Sequence, residues 1–212
     1  MTAVLSAVVV ESVDPERLNR FWSELLNSPA DGARLEFVPS TLGKDDKNRL
    51  HLDLASTSVD QQSELVELAC VLGGRRIDIG QGTVPWAVMA DPEGNEFCVL
   101  EPRAEYLGLG PIAAVVTDVR DPGAACRFWA AELDVAPART HADYAALRAG
   151  GGAWLEFVRN SNPPKRQGRL HLRFEAPGRG KTGPRCPVCH GDSAELADGE
   201  GNRFCLAQMQ EG

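Results

Sequence analysis

The side chains best suited to chemistry in this chain stand in phrases that it writes twice. Arg49-Leu50-His51-Leu52-Asp53-Leu54 returns as Arg169-Leu170-His171-Leu172-Arg173-Phe174, so two histidines share one context. Leu35-Glu36-Phe37-Val38 precedes the first copy and Leu155-Glu156-Phe157-Val158 the second, each bringing a carboxylate. Phrases ending in Glu96-Phe97-Cys98 and Arg203-Phe204-Cys205 follow, each bringing a thiol. Imidazole, carboxylate and thiol are zinc-ligating side chains. A histidine beside a carboxylate is also a charge-assisted pair near neutral pH. Such a pair serves as a general base, or only holds a cavity in shape.

Cys186-Pro187-Val188-Cys189-His190 is a separate candidate. Its Cys-x-x-Cys-His form matches c-type haem attachment, but neither an export signal nor a distal ligand accompanies it. A zinc knuckle needs a further ligand at matching spacing, and none follows. A redox pair has suitable spacing but no βαβ context to place it at a helix N-terminus. The default expectation is a tight turn. Trp86 and Trp154 lie on expected strands, where an aromatic ring either packs or stacks on a planar ligand. Trp22 and Trp129 fall on the core faces of expected helices. The basic stretch holding Lys165, Arg166, Arg169, Arg173, Arg179, Lys181 and Arg185 is expected to be a solvated surface, with an anionic ligand as the sharper alternative.

The elements that must position these groups also repeat. Each copy opens on a Val-rich strand, residues 4–10 and 112–119. Asp14-Pro15 and Asp121-Pro122 then supply a helix N-cap and a proline at the first helical position. Phe21-Trp22 and Phe128-Trp129 lie on the apolar faces of those helices. Further strands are expected at 34–39, 49–54, 75–79, 84–90 and 96–100, then at 144–148, 153–158, 169–174, 193–197 and 203–208. A second helix over 58–72 starts from the capping box Ser58-Val59-Asp60-Gln61. Asp91-Pro92-Glu93-Gly94-Asn95 and Asp198-Gly199-Glu200-Gly201-Asn202 are turns, with glycine available for positive φ.

The spacing of the copies is uneven. Phe21 to Phe128 is a step of 107 residues, as is Asp91 to Asp198, whereas His51 to His171 is a step of 120. Copy 1 therefore lacks 13 residues before its Leu-Glu-Phe-Val, and copy 2 lacks 13 after its histidine phrase. In place of the second helix, copy 2 has residues 177–189, rich in glycine, proline and basic side chains.

Composition bounds the reading. The chain has 212 residues, 43% hydrophobic and 25% charged, as a globular protein does. A net charge of −8 argues against nucleic acid or an anionic membrane as partner. No apolar run approaches the ~20 residues of a membrane helix. Residues 1–10 lack a basic n-region and are read as a strand. The expected setting is cytoplasmic, with the six cysteines reduced.

In combination these phrases resemble the glyoxalase-like branch of the vicinal oxygen chelate superfamily, which holds glyoxalase I, bleomycin-resistance proteins and extradiol dioxygenases. The resemblance covers nearly the whole chain, once per repeat. It implies an α+β fold: two tandem glyoxalase-like domains, 1–103 and 104–212, built from βαβββ modules in curved, half-barrel mixed sheets. The first module of domain 1 is shortened, and the second module of domain 2 is shortened and lacks its helix. Modules 49–101 and 111–158 are complete. They pair either with each other or, as is ordinary, within repeats; the sequence leaves both open.

Metal-using relatives draw four ligands from four strands. Matched residue by residue, Glu36, His51, Glu156 and His171 fall on such positions, and so do Cys98 and Cys205. Ala7 and Ala114 stand where donors are required and offer none. The resemblance therefore implies a degenerate metal site. Glu36, His51, Trp86, Cys98, Trp154, Glu156, His171 and Cys205 become candidate ligand-binding residues. No cofactor is expected; if a divalent metal binds, the sets are Glu36, His51 and Cys98, or Glu156, His171 and Cys205. The expected function is binding of an apolar or aromatic metabolite, by a monomer acting as a pseudo-dimer or by a homodimer. A metal-dependent lyase, isomerase or dioxygenase is the alternative.

Overall fold

A computed structural model describes residues 3–27, 34–148, 152–166, 168–177, 183–189 and 193–208. Repeat 1 contributes β1 (Val4–Ser12), α1 (Pro15–Leu26), β2 (Arg34–Pro39), β3 (Leu50–Leu54), α2 (Val59–Val71), β4 (Arg75–Arg76), β5 (Ala87–Ala90) and β6 (Glu96–Val99). Repeat 2 contributes β7 (Ile112–Val119), α3 (Pro122–Leu133), β8 (Pro137–His141), β9 (Tyr144–Leu147), β10 (Trp154–Arg159), β11 (Leu170–Ala176), β12 (Ala194–Ala197) and β13 (Arg203–Gln208). The caps form as expected: Asp14 accepts from Arg17 N, Asp121 from Ala124 N and Ser58 from Gln61 N. No described helix is long and apolar enough to cross a membrane.

The strands form two open mixed sheets, and each draws on both repeats. One runs β12-β13-β11-β1-β2, the other β4-β5-β6-β3-β7-β10-β9-β8. The joins are antiparallel, β1 to β11 and β3 to β7. The two complete modules thus share the larger sheet, and the two shortened ones share the smaller.

Both sheets turn one face to a common core. Leu50, Leu52 and Leu54 of β3 and Leu170, Leu172 and Phe174 of β11 are buried there. The Trp129 ring meets Phe157 of the larger sheet at 5.9 Å and Phe204 of the smaller at 4.2 Å. Trp22 meets Phe97 at 5.0 Å. Alternation along each strand sends His51 and His171 to the opposite, outer faces.

The other repeated phrases tie helices to turns. Trp22 Nε1 donates to Asp91 Oδ2 at 3.3 Å, and Trp129 Nε1 to Asp198 Oδ2 at 3.2 Å. Glu93 accepts from the backbone N–H groups of Val13 and Asp14, and Glu200 from those of Arg120 and Asp121. Gly94 and Gly201 supply the positive φ of the turns, at 88° and 82°. Across repeats, Arg169 Nη1 reaches Glu93 Oε2 at 2.7 Å, and Arg49 Nη1 reaches Asn202 Oδ1 at 2.9 Å.

Some elements depart from expectation. The strand sought over 75–79 ends at Arg76, and that sought over 84–90 begins at Ala87. Gly80 and Gly82, both at positive φ, and Pro85 break the pairing between them. Strand β8 was not anticipated: it is a mostly exposed edge strand without apolar alternation. The linker contains a 3₁₀ turn, Ala104–Tyr106, that buries Tyr106. Among the described residues between β11 and β12 there is no helix.

Candidate functional site

On the outer face of the larger sheet, β3 presents His51 and Asp53 two residues apart. Their Nε2 and Oδ1 atoms lie 3.4 Å from one another. Asp53 is in register with Cys98 of β6 on one side and Ala114 of β7 on the other. Glu156 of β10 lies beside Val116 of β7, which lies beside His51. His51, Asp53, Cys98, Val116 and Glu156 line a cavity of about 380 Å³. Trp86, Val88, Leu100, Val116 and Val158 give it apolar walls, and Arg103, Arg139 and the Lys47–Asp118 ion pair edge it.

Two phenols hold the carboxylate. Tyr106 Oη and Tyr144 Oη both donate to Glu156 Oε1, at 2.9 and 3.0 Å. Burial raises the Glu156 carboxyl, and these two hydrogen bonds oppose the rise. Burial also raises both phenols, with the Glu156 charge second. Burial, and then the Lys47 charge, lowers His51 to about 4. Burial, and then the Glu156 charge, raises Asp53 to about 7. Burial pushes the Cys98 thiol up, helped by Asp53. Between about pH 4 and pH 7 His51 and Asp53 are both uncharged. His51 Nδ1 and Asp53 Oδ1 are both buried without a hydrogen-bond partner.

Of the expected site residues, His51, Trp86, Cys98 and Glu156 line this cavity. Trp154 does not; it is buried beside the cavity, with the Arg139 guanidinium 4.4 Å above its ring. Glu36, His171 and Cys205 belong to the smaller sheet. There Glu36 is held by Arg173 through two hydrogen bonds of 2.7 and 2.5 Å. The expected sets Glu36, His51, Cys98 and Glu156, His171, Cys205 are therefore corrected, with Glu156 joining His51 and Cys98. The carboxylates change places because the modules pair across repeats.

The expected surface role of the basic stretch is also modified by the fold. Arg173 pairs with Glu36 and Arg169 with Glu93, whereas Arg166 pairs with Asp45 in the open. Arg179, Lys181 and His190 lie outside the described residues.

A family model for the glyoxalase-like domain matches residues 7–100 and, a second time, 114–207. The chain belongs to the glyoxalase-like domain family. Among solved structures, a glyoxalase I mutant from Zea mays is similar, with a TM-score of 0.70 and 15% identity over 98% of this chain and 94% of that one. A putative dioxygenase from Bacillus subtilis has a TM-score of 0.64 and 11% identity over 100% of this chain and 86% of that one. At such identities the likeness is one of fold. No curated protein matches the sequence.

The metal site implied by glyoxalase-like relatives can be tested against these side chains. In the larger sheet its four positions become His51, Cys98, Ala114 and Glu156. Ala114 has no donor, and Glu156 is already engaged by two phenols. Asp53 substitutes in part, since His51, Asp53 and Cys98 hold one donor atom each within 4.8 Å of one another. The set does not fit the four-strand site. In the smaller sheet the positions become Ala7, Glu36, His171 and Cys205, with Glu36 taken by Arg173; that set does not fit either.

Several cavity residues were missed by sequence reasoning. Asp53 was legible, being two residues beyond His51 on an alternating strand. Tyr106 carried no signal, since a linker has no periodicity. Tyr144 and Asp118 reach the cavity through strand pairing, and loop residue Lys47 through its ion pair with Asp118.

Proposed function

We propose that this glyoxalase-like protein binds one small, largely apolar or aromatic molecule on the outer face of its larger sheet. The observation that carries this reading is the cavity itself: about 380 Å³, apolar walls including Trp86, and the polar side chains of His51 and Asp53 at its floor. That volume is at the small end of ligand pockets, suited to one or two rings. The His51 and Asp53 side chains would meet a polar group of the ligand, and Trp86 a ring face. Both repeats complete both sheets, which supports a single chain as the working unit. The six cysteines are free, in keeping with a reducing, cytoplasmic setting.

The metal-dependent lyase, isomerase or dioxygenase reading draws on one observation, the donor atoms of His51, Asp53 and Cys98. A single experiment separates the two. The protein is titrated with a panel of one- and two-ring phenols, amides and quinones, with tryptophan fluorescence and thermal shift as readouts, and the metal content that depends on His51 is measured. Binding that weakens about tenfold in Trp86→Ala, near the ~1.4 kcal/mol of a good stacking contact, supports the binding reading. A ligand indifferent to both Trp86→Ala and His51→Ala would remove the cavity from consideration. A metal lost on His51→Ala would favour the enzyme.

A further inference from the structure

The turn that replaces the missing helix of the fourth module lies over the outer face of the smaller sheet. Along the chain Cys186 and Cys189 have no following partner of knuckle spacing, but the fold supplies two from strands. His171 comes from β11 and Cys205 from β13. With the cysteine pair they place four donor atoms within 4.8 Å of one another, and all four residues are buried. Ala7, Val9, Val38 and Val188 form a small apolar collar around the cysteines.

The geometry is that of a closed tetrahedral centre. Zn–S of ~2.3 Å and Zn–N of ~2.0–2.1 Å place neighbouring donors roughly 3.6–3.8 Å apart. Cys186 Sγ stands 3.6 Å from His171 Nε2, and Cys205 Sγ stands 3.0 Å from it. The first distance is already a tetrahedral edge, and the second needs to open by about half an ångström. The turn also aims backbone donors at one of the sulfurs. The backbone N–H groups of Val188 and Cys189 both donate to Cys186 Sγ, at 3.4 and 3.3 Å. Backbone donors aimed at one sulfur stabilise a thiolate and fix its direction. Arg173 is in register with Cys205, and its charge is already matched by Glu36.

We propose that His171, Cys186, Cys189 and Cys205 bind zinc as a structural site that pins residues 183–189 to the smaller sheet. On binding, the three thiols release three protons to solvent and the metal sheds its water, with no change of oxidation state. This replaces the default reading of the Cys-Pro-Val-Cys segment as a plain turn. It also runs against the expectation of no cofactor, and its donors differ from the set Glu156, His171 and Cys205. The site is separate from the cavity, so it stands or falls independently of the proposed function.

The test uses the untagged full chain, purified without chelators, with metal content and free thiols measured together. About one zinc per chain is expected, retained in His51→Ala and lost in Cys186→Ser and in Cys189→Ser. Because a cysteine variant can also fail to fold, the wild-type protein is stripped and refilled with Co²⁺. Thiolate-to-cobalt charge transfer and the intense visible bands of tetrahedral Co²⁺ are expected. Reduced apoprotein that takes up neither metal would overturn the proposal. So would zinc that leaves with His51→Ala but stays in Cys186→Ser, or a Cys186–Cys189 disulfide in protein purified under reducing conditions.

Discussion

At the scale of the residue, His51 and Asp53 have opposite linkages to folding. Asp53 rises from 3.8 to about 7, so between these values the folded state keeps a proton that the unfolded chain has lost. Its contribution is full below about 4 and is lost as pH climbs toward 7. His51 falls from 6.5 to about 4, so its contribution is full above 6.5 and is lost as pH falls toward 4. Over that shared window the two slopes oppose each other in the parent protein. Asp53→Asn should expose the histidine slope, with stability falling relative to the parent from pH 6.5 to 4. His51→Asn should expose the aspartate slope, with stability falling relative to the parent from pH 4 to 7. At about 1.36 kcal/mol per pKa unit the aspartate slope is worth up to about 4 kcal/mol and the histidine slope up to about 3 kcal/mol. Urea melts of the three proteins across this range decide the matter; parallel profiles would refute it. The phenols act differently. Tyr106→Phe leaves the buried Glu156 with one donor fewer and should cost roughly 1.5–3 kcal/mol. The same melts at pH 7 measure it, and a loss no larger than that of an exposed tyrosine would deny the Glu156 contact.

At the scale of the element, the two Asp-x-Glu-Gly-Asn turns hold their helices unequally. Glu93 receives two backbone N–H groups, the Ser12 hydroxyl and the Arg169 guanidinium, with side-chain exposures of 8% for Arg169 and 5% for Glu93. Glu200 receives its backbone N–H groups and only a distant Arg120, 3.9 Å away and 59% exposed. Removing one partner of a buried ion pair strands the other charge, at about 3–5 kcal/mol, whereas exposed pairs contribute ~0–1 kcal/mol. Glu93→Gln should therefore destabilise the protein by at least about 2 kcal/mol more than Glu200→Gln. Equal losses would mean that the twin turns act only through their backbone bonds.

At the scale of the whole molecule, the repeat is a unit of sequence, while each sheet is completed only by both repeats. Residues 1–103 alone would expose the β3 edge that β7 covers and the β1 edge that β11 covers. Unpaired edges flanked by apolar faces recruit other chains. The fragment should be unfolded, aggregated or dimeric by strand exchange, and mixing it with residues 104–212 should restore a monomeric complex. A monomeric fragment with a cooperative thermal transition would show that a repeat folds alone.

Alternation and spacing determined much of this protein from sequence. The copies of Arg-Leu-His-Leu fixed two strands, their buried leucines and the outward direction of His51 and His171, because side chains on a strand alternate with period two. Asp14-Pro15 and Asp121-Pro122 fixed two helix starts, because a cap is a local bond. Those cues act over a few residues. Which carboxylate stands beside which histidine depends on strand pairing between segments about a hundred residues apart, so Glu36 and Glu156 exchanged places only in the fold. The same long-range pairing carried His171 and Cys205 to Cys186 and Cys189, a set of donors that no spacing along the chain displays.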